Sequence, residues 1–315
     1  MLPSNNLHAG EIRVGLIGLD TSHVSAFLQI FNDAGSNDHV AGAQIVAAFK
    51  GGSADVASSR SRVDEFTRQA GEKFGLKLYD AIEDLARDVE AIMILSVDGR
   101  PHLEQFRRTL AAHKPVFIDK PLAGSLRDVL ALAQLAKDSG VPCFSTSSLR
   151  YTEDSPAHNL GQIGKVTAAY SYGPAEYEPH HPDLYWYGIH AIEALYTVLG
   201  TGCLSVVRTH TTEADVVTGV WSDGRVGTMH GYRAGKYGYG VVVLGTKGSL
   251  IGGQKHSYRP LALDIVRFFQ TGNAPVPLDT TVEICAFMEA ADESKRRGGV
   301  PVPLAEVMRA AAANR

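Results

Sequence analysis

A lysine between an acidic residue and a proline is the strongest chemical signal in this sequence. Asp119-Lys120-Pro121 follows a short apolar run at residues 115–118. Proline ends a strand, so Lys120 is predicted to lie at the carboxyl end of a buried strand, where open α/β sheets bind ligands. An amine with a lowered pKa accepts a proton from a hydroxyl group. Lys120 is therefore predicted to be an acid–base residue.

A second candidate set lies in the polar, aromatic and histidine-rich stretch at residues 176–187 and just beyond it. Histidine can transfer a proton near neutral pH, so His190 is a catalytic candidate, and Asp183 is a further one. The histidines and acids also make a plausible divalent-metal set, but their spacing fits no standard motif, so no metal site is predicted. A pocket for a small-molecule substrate is predicted instead, because aromatic side chains offer apolar faces to a ring. Its predicted substrate contacts are His181, Trp186, Tyr187 and His190.

The glycine turn after the first strand departs from the dinucleotide fingerprint G-x-G-x-x-G. Gly18 fills the first position, whereas Asp20 and His23 fill the second and third. A carboxylate 4 Å from a phosphate charge costs on the order of 4 kcal/mol. Three interpretations stay open. Asp20 caps the helix while Thr21 and Ser22 face the phosphates; Asp20 and His23 face a substrate; or the turn is only structural.

Further cofactor and substrate contacts are predicted at the ends of the next strands. No carboxylate follows the second strand, and Lys50, Ser53 and Arg60 can hold a 2′-phosphate, which favours NADP over NAD. The alternative is that Arg60 and Arg62 merely face solvent at the start of a helix. Asp98 is predicted to contact cofactor or substrate, or to brace its loop by pairing with Arg100. The predicted cofactor contacts are Gly18, Asp20, Thr21, Ser22, His23, Lys50, Ser96, Asp98 and Lys120.

Arg150 closes the first predicted domain. It is predicted to contact substrate, or alternatively to form a salt bridge between the domains.

The elements that position these residues change character near residue 149. Before it, short apolar runs alternate with helical patterns, which predicts a doubly wound parallel sheet in an α/β domain at residues 1–149. After it, successive β runs indicate an α+β domain with an open, mainly antiparallel sheet at residues 150–315. The chain has 315 residues, which suits two domains.

Composition excludes several classes of function. The net charge of −4 argues against an extended nucleic-acid surface. Cys143, Cys203 and Cys285 are well separated and fit reduced, buried side chains. The sequence offers neither a signal peptide core nor an apolar membrane span. A soluble cytoplasmic protein is predicted.

Six motifs, in order along almost the whole chain, resemble those of the Gfo/Idh/MocA family of oxidoreductases. They are RVGLIG from Arg13, SVDGRPH from Ser96, DKPLA from Asp119, GQIGKV from Gly161, GIH from Gly188 and GTKGS from Gly245. The resemblance implies an N-terminal Rossmann domain and a C-terminal domain with an open antiparallel sheet. It also implies homo-oligomers, often dimers, formed through the exposed sheet face. The implied chemistry is NAD(P)-dependent oxidation or reduction of a sugar or polyol hydroxyl.

The resemblance carries over residue by residue, with departures. Lys120 matches the lysine of the E-K-P motif, with Asp119 in place of the glutamate. His190 matches the histidine of the D-x-x-x-H pattern, but Trp186 stands where the aspartate is expected. Glu193 matches the later acid, and either orients His190 or pairs with a buried base.

The predicted function is therefore an NAD(P)-dependent oxidoreductase acting on a hydroxyl of a sugar, sugar derivative or polyol. Lys120 and His190 are expected to converge on one pocket. Two alternatives stay open. One is a non-redox lyase or hydrolase that uses a tightly bound NAD(P) or a metal, and the other is a non-catalytic sugar-binding protein.

Overall fold

A computed structural model describes residues 10–313 of the chain. The chain divides into two compact units. Of the described residues, the first comprises 10–124 together with Ala131–Ser145 and Tyr258–Leu278. The second comprises Ser125–Leu130, Thr146–Ser257 and residues 279–313.

The first unit is built on a six-stranded parallel sheet of order β3-β2-β1-β4-β5-β6. Its central strands β4 and β5 are apolar or buried at every position, as expected for a sheet covered on both faces. This is the predicted Rossmann architecture. The strands are β1 (Ile12–Ile17), β2 (Ala43–Phe49), β3 (Lys77–Tyr79), β4 (Ala91–Ile94), β5 (Val116–Asp119) and β6 (Cys143–Thr146).

The second unit holds a seven-stranded mixed sheet of order β12-β11-β7-β10-β9-β8-β13. Its pairings are antiparallel except that of β7 with β10, which is parallel. The prediction of a mainly antiparallel sheet is confirmed. The strands are β7 (Val166–Pro174), β8 (Cys203–His210), β9 (Ala214–Trp221), β10 (Val226–Tyr232), β11 (Gly240–Gly245), β12 (Gly248–Gly252) and β13 (Val302–Pro303).

The described residues form ten helices. They are α1 (Ser22–Asn32), α2 (Ala57–Arg60), α3 (Val63–Glu72), α4 (Ile82–Asp88), α5 (His102–Thr109), α6 (Leu126–Ser139), α7 (Gly188–Leu199), α8 (Arg259–Thr271), α9 (Leu278–Arg296) and α10 (Leu304–Ala313). Helix α7 packs on β7 and β10 and covers one face of the second sheet. No helix among residues 10–313 combines the length and apolarity needed to cross a membrane.

Helix α8 belongs to the first unit although it lies late in the chain. The ring of Phe268 is 4.8 Å from that of Phe144, and the ring of Tyr258 is 5.7 Å from that of Phe27. The predicted boundary at residue 149 falls close to the junction after Ser145, but the return of α8 to the first unit was not predicted.

Candidate functional site

Lys120 directly follows β5, at the carboxyl end of the parallel sheet. The residue is only 8% exposed, and Asp119 before it is 4% exposed. Burial lowers the pKa of Lys120, and the charge of Asp119 only partly opposes that shift. The position therefore favours a neutral amine more than an ordinary lysine does.

His23, in the first turn of α1, contacts the carboxylate of Asp119. His23 Nδ1 lies 2.5 Å from Asp119 Oδ2. Burial alone would raise the pKa of Asp119, but the charge and hydrogen bond of His23, with the charge of Lys120, hold it below its usual value. Asp119 is therefore ionised beside Lys120.

Asp20 has a structural role within the first unit. Its carboxylate is fully buried and accepts hydrogen bonds from Ser59 Oγ at 2.6 Å and from the Val97 amide at 3.0 Å. Burial raises its pKa. The interpretation that Asp20 caps α1 is wrong, because Thr21 is the N-cap and accepts from the His23 amide. With its carboxylate turned into the unit, a side-chain contact of Asp20 with cofactor or substrate is not supported.

Gly18 keeps the role of the first fingerprint glycine. Its φ is +91°, and an added Cβ would lie 2.3–2.6 Å from atoms of Ser96. The Gly18 amide donates to the Phe49 carbonyl at 3.0 Å, so the turn crosses the end of β2. Because the tight turn is retained and the Asp20 charge is withdrawn from the start of α1, these residues fit a dinucleotide.

The ends of β2 and β4 are joined by an ion-pair cluster. Asp98 is 1% exposed, accepts from Ser53 Oγ at 2.6 Å and receives Arg100 Nε at 3.0 Å on each oxygen. The guanidinium of Arg100 also bonds Asp55 at 2.8 and 2.9 Å. The predicted alternative, in which Asp98 pairs with Arg100 to brace the loop, is confirmed.

Two basic residues near β2 have partners of their own. Lys50 forms an exposed ion pair with Asp64 at 2.7 Å. Arg60 donates to the Ala54 carbonyl at 2.6 Å. Lys50 and Arg60 are the basic residues predicted to hold a 2′-phosphate, and in the structure each is bound by another group of the protein.

His102 links the β4 loop to the segment that carries Lys120. Its Nε2 lies 2.9 Å from the Ser96 carbonyl oxygen and its Nδ1 lies 2.9 Å from the Pro121 carbonyl oxygen. Ser96 is itself 1% exposed and its hydroxyl bonds Gln105, which gives it a structural role beside Gly18. His102 is the last residue of the SVDGRPH motif, and these contacts give it a structural role.

His190, on α7 of the second unit, is anchored by a residue that the sequence analysis missed. Its Nδ1 lies 2.6 Å from Ser147 Oγ, which also accepts from the Leu149 amide at 3.1 Å. Its ring is 5.8 Å from Tyr187 and 5.9 Å from Tyr239. The ring of Tyr239 packs against Gly173, where an added Cβ would lie 2.5 Å from the ring, so this position has no room for a side chain.

The predicted substrate contacts around His190 come together in the second unit. The ring of Trp186 is 5.1 Å from that of His181 and 6.5 Å from that of Tyr187. His181, Trp186 and His190 are buried, whereas Tyr187 is 37% exposed. An aromatic wall of this kind suits the apolar face of a sugar or cyclitol ring.

Glu193 pairs with Arg150 and not with His190. Arg150 Nε donates to Glu193 Oε2 at 2.8 Å, and Thr146 Oγ1 lies 3.3 Å from the same oxygen. The expectation that Glu193 orients His190 is wrong, and the alternative of a buried partner for a basic group is confirmed. Arg150 and Glu193 both belong to the second unit, so their ion pair does not bridge the domains.

Asp183 lies in an ion network of the second unit. It accepts from Arg208 Nη2 at 2.8 Å and from Lys295 Nζ at 2.7 Å. Burial would raise its pKa, but these two cations hold the pKa below its usual value. Such a carboxylate is a poor proton acceptor, which does not favour Asp183 as a catalytic base.

The histidine-rich stretch forms a local pair at its start. His180 Nδ1 lies 2.6 Å from Glu178 Oε1. Within the described range, residues 10–313, no group of three or more His, Cys, Asp or Glu side chains is arranged to hold a metal ion.

Comparisons with known proteins agree with this architecture. Residues 12–147 match the family model described as an oxidoreductase family with an NAD-binding Rossmann fold, GFO_IDH_MocA. Scyllo-inositol 2-dehydrogenase (NAD(+)) of Bacillus subtilis (strain 168) is 24% identical over 297 residues, covering 78% of this chain and 86% of that protein.

Two solved structures share the fold of both units. Apo scyllo-inositol dehydrogenase from Lactobacillus casei has a TM-score of 0.76 at 17% identity, covering 95% of this chain and 100% of that one. An oxidoreductase from Agrobacterium radiobacter, in complex with NAD+, L-tartaric acid and magnesium, has a TM-score of 0.75 at 16% identity, covering 94% and 99%.

The parallel sheet and the turn around Gly18 define a Rossmann domain. The part of the chain that forms it, residues 12–147, matches the NAD-binding oxidoreductase family GFO_IDH_MocA.

Proposed function

We propose that the protein is an NAD-dependent dehydrogenase that oxidises a secondary hydroxyl group of a cyclitol or sugar. The observation that carries the proposal is the buried Lys120, whose pKa is lowered at the ligand-binding edge of the Rossmann sheet. The polyol class is supported by the inositol dehydrogenases among the similar proteins. The aromatic wall beside His190 suits the same class.

The residues of the chain divide the work of this reaction. NAD, when bound, supplies the hydride acceptor. Thr21, the N-cap of α1, together with Ser22 and His23 of its first turn, would hold the phosphates of NAD. The neutral amine of Lys120 takes the proton of the substrate hydroxyl at Nζ, and the ammonium that forms is stabilised by the charge of Asp119.

We propose that His190 binds substrate in the second unit. The hydroxyl of Ser147 orients the ring of His190 through Nδ1. Trp186 and Tyr187 would pack against the apolar face of the ring. The catalytic role first assigned to Asp183 is not part of the proposal, because two cations already hold its carboxylate.

The contacts at the ends of β2 and β4 favour NAD over NADP, against the expectation from the sequence. Ser53 donates to the buried Asp98, and Arg100 is held between Asp98 and Asp55. A 2′-phosphate here would have to compete with Asp98 and Asp55 for Arg100, because both carboxylates already hold that guanidinium. We therefore propose that NADH binds at least about tenfold more tightly than NADPH.

The test is an assay of cyclitols and sugars with each cofactor, combined with binding titrations. Purified protein is mixed with NADH or NADPH and the nicotinamide fluorescence is followed. Turnover of a polyol with appearance of NADH, and tighter binding of NADH, are expected. A polyol product without net NADH would favour the non-redox alternative, and polyol binding without any product would favour a sugar-binding protein.

The open face of the second sheet supports a homo-oligomer. The cross-strand register places Tyr170, Val226, Val220, Leu244 and Ile251 on one face. These side chains are between 37% and 73% exposed. An apolar patch of this kind is typical of an interface.

We propose that two copies associate through this face, and sedimentation tests the proposal. Leu244→Glu is expected to shift the protein towards monomer. Leu263→Glu, at an exposed leucine of α8, is the control and is expected to leave the oligomer unchanged. A wild-type protein that sediments as a monomer would contradict the proposal.

A further inference from the structure

The histidine of the glycine turn and the acid before Lys120 meet although they are 96 positions apart. His23 comes from the first turn of α1 and Asp119 from the end of β5. Their side chains are 13% and 6% exposed, so the contact is largely shielded from water. A dinucleotide fingerprint has glycine at the position of His23. The contact therefore needs a side chain that the fingerprint lacks.

The proton between the two groups can be assigned. An ionised carboxylate only accepts hydrogen bonds. Because Asp119 is held ionised, His23 Nδ1 carries the hydrogen and donates it to Oδ2. The Asp119 carboxylate is thus bound by an imidazole N–H.

This matters because Asp119 is the neighbour whose charge raises the pKa of Lys120. A buried carboxylate that pairs directly with an ammonium ion stabilises the charged form and shifts the lysine pKa upward. A lysine held in that form cannot accept a proton. A donor that occupies the carboxylate competes with such pairing.

We propose that His23 is a positioning residue that binds the Asp119 carboxylate and thereby keeps Lys120 able to act as a neutral amine. The inference rests on the proposed role of Lys120 as the base. It explains why a histidine, and not the glycine of the fingerprint, occupies position 23. His23, Asp119 and Lys120 then act together as one cluster.

Two further groups lie around these three residues. His102, on α5, has its ring nitrogens at the carbonyl oxygens of Ser96 and Pro121. The ring of Tyr258, next to α8, lies 4.9 Å from that of His23. Substitutions at His23 and Asp119 leave these neighbours in place.

The test measures the protonation of Lys120 without turnover. Protein labelled with carbon-13 at the lysine side chains is titrated by NMR without cofactor or substrate, and Lys120→Arg identifies the resonance. Asp119→Asn removes the charge and is expected to lower the midpoint of Lys120 by about one pH unit. His23→Gly removes the donor, lets Asp119 pair with the ammonium, and is expected to raise the midpoint by about one unit.

Matched variants separate this role from a structural one. His23→Asn keeps an N–H donor for Asp119 and is expected to titrate like the wild type. His39→Gly is the control, since His39 contacts the Ile30 carbonyl in the same unit. Shifts of the same sign in Asp119→Asn and His23→Gly, or no shift in either, would overturn the inference. If His23→Gly does not fold, the Asp119→Asn variant is sufficient as a test. A Lys120 midpoint equal to that of the wild type in this variant would overturn the inference.

The titration also separates this inference from the proposed function. Opposite shifts together with full turnover in Lys120→Ala would support the His23 role in setting Lys120 and remove Lys120 from the chemistry. If neither variant shifts the midpoint but Lys120→Ala loses turnover, Lys120 keeps its role in the chemistry and the proposed role of His23 is wrong.

Discussion

Lys120 in the first unit and Arg208 in the second are both buried cations, but their surroundings differ. Lys120 has its pKa lowered by burial, with the charge of Asp119 as the opposing influence. Arg208 is bonded to Asp183, Asp215 and Asp292. Burial would lower the Arg208 pKa, but Asp215 and Asp292 hold it above its usual value.

The difference separates a group built for chemistry from one built for structure. A guanidinium with several acidic partners is fixed in one charge state, and it joins β8, α9 and the segment before α7. An amine whose pKa is lowered can change its charge near neutral pH. Burial of a cation therefore indicates function only when its partners leave the charge state changeable.

The largest effect is expected from Lys120→Met, which keeps the length of the side chain but removes the base. Loss of a general base lowers kcat/KM by about 10² to 10⁴-fold. The melting temperature is expected to stay equal to that of the wild type or to rise, because a buried ionisable group has been removed. Steady-state kinetics and calorimetry check both effects, and a large loss of stability would place Lys120 with Arg208 as a structural cation.

Arg208→Met is expected to show the converse pattern. Removing one partner of a buried ion pair leaves uncompensated carboxylates, which costs about 3–5 kcal/mol in the free energy of unfolding. Denaturant unfolding measures the loss. Wild-type stability in this variant would show that the acids around Arg208 become protonated or hydrated at no cost.

The pH dependence of the wild type sharpens the comparison further. The base form of Lys120 is the neutral amine, so kcat/KM for oxidation is expected to rise with pH and to level off above the Lys120 pKa. Because burial lowers that pKa from the ordinary 10.5, the midpoint lies below 10.5. A profile without this rise would show that another group takes the proton.

The smallest effect is expected from Arg68→Met. Arg68 pairs with Glu65 and Glu72 on the surface of α3, and its side chain is 55% exposed. Exposed ion pairs contribute little because water and salt screen them. A melting temperature equal to that of the wild type is expected. A clear decrease would mean that exposed ion pairs also stabilise this protein, and that burial is not what distinguishes Arg208.

The sequence predicts the elements well where hydrophobic periodicity is strong. The spacing of apolar residues alone predicts a strand at Ile12–Ile17 and helices at Ser22–Asn32, Gly188–Leu199 and Leu304–Ala313, and the structure has these elements. Strand β3 and helix α4 were missed because each is too short to show a period. The parallel pairing of β7 with β10 was also missed, because strand order depends on contacts between distant segments.

The site was predicted in its residue types but not in its partners. Lys120 and His190 follow from motifs, whereas Ser147 beside His190 is one serine in the run Ser145–Ser148 and carries no distinctive spacing. The pairing of His23 with Asp119 depends on how α1 meets β5 in space. Such contacts are fixed by tertiary packing, which a single sequence does not display.

Helix α8 has a consequence for how the protein can be divided. It supplies Phe268 to the ring of Phe144 and follows Tyr258, which covers His23. A gene fragment that stops at residue 149 would expose these aromatic surfaces to water and would favour aggregation. During synthesis on the ribosome, the nucleotide-binding half is finished only after most of the following half has emerged.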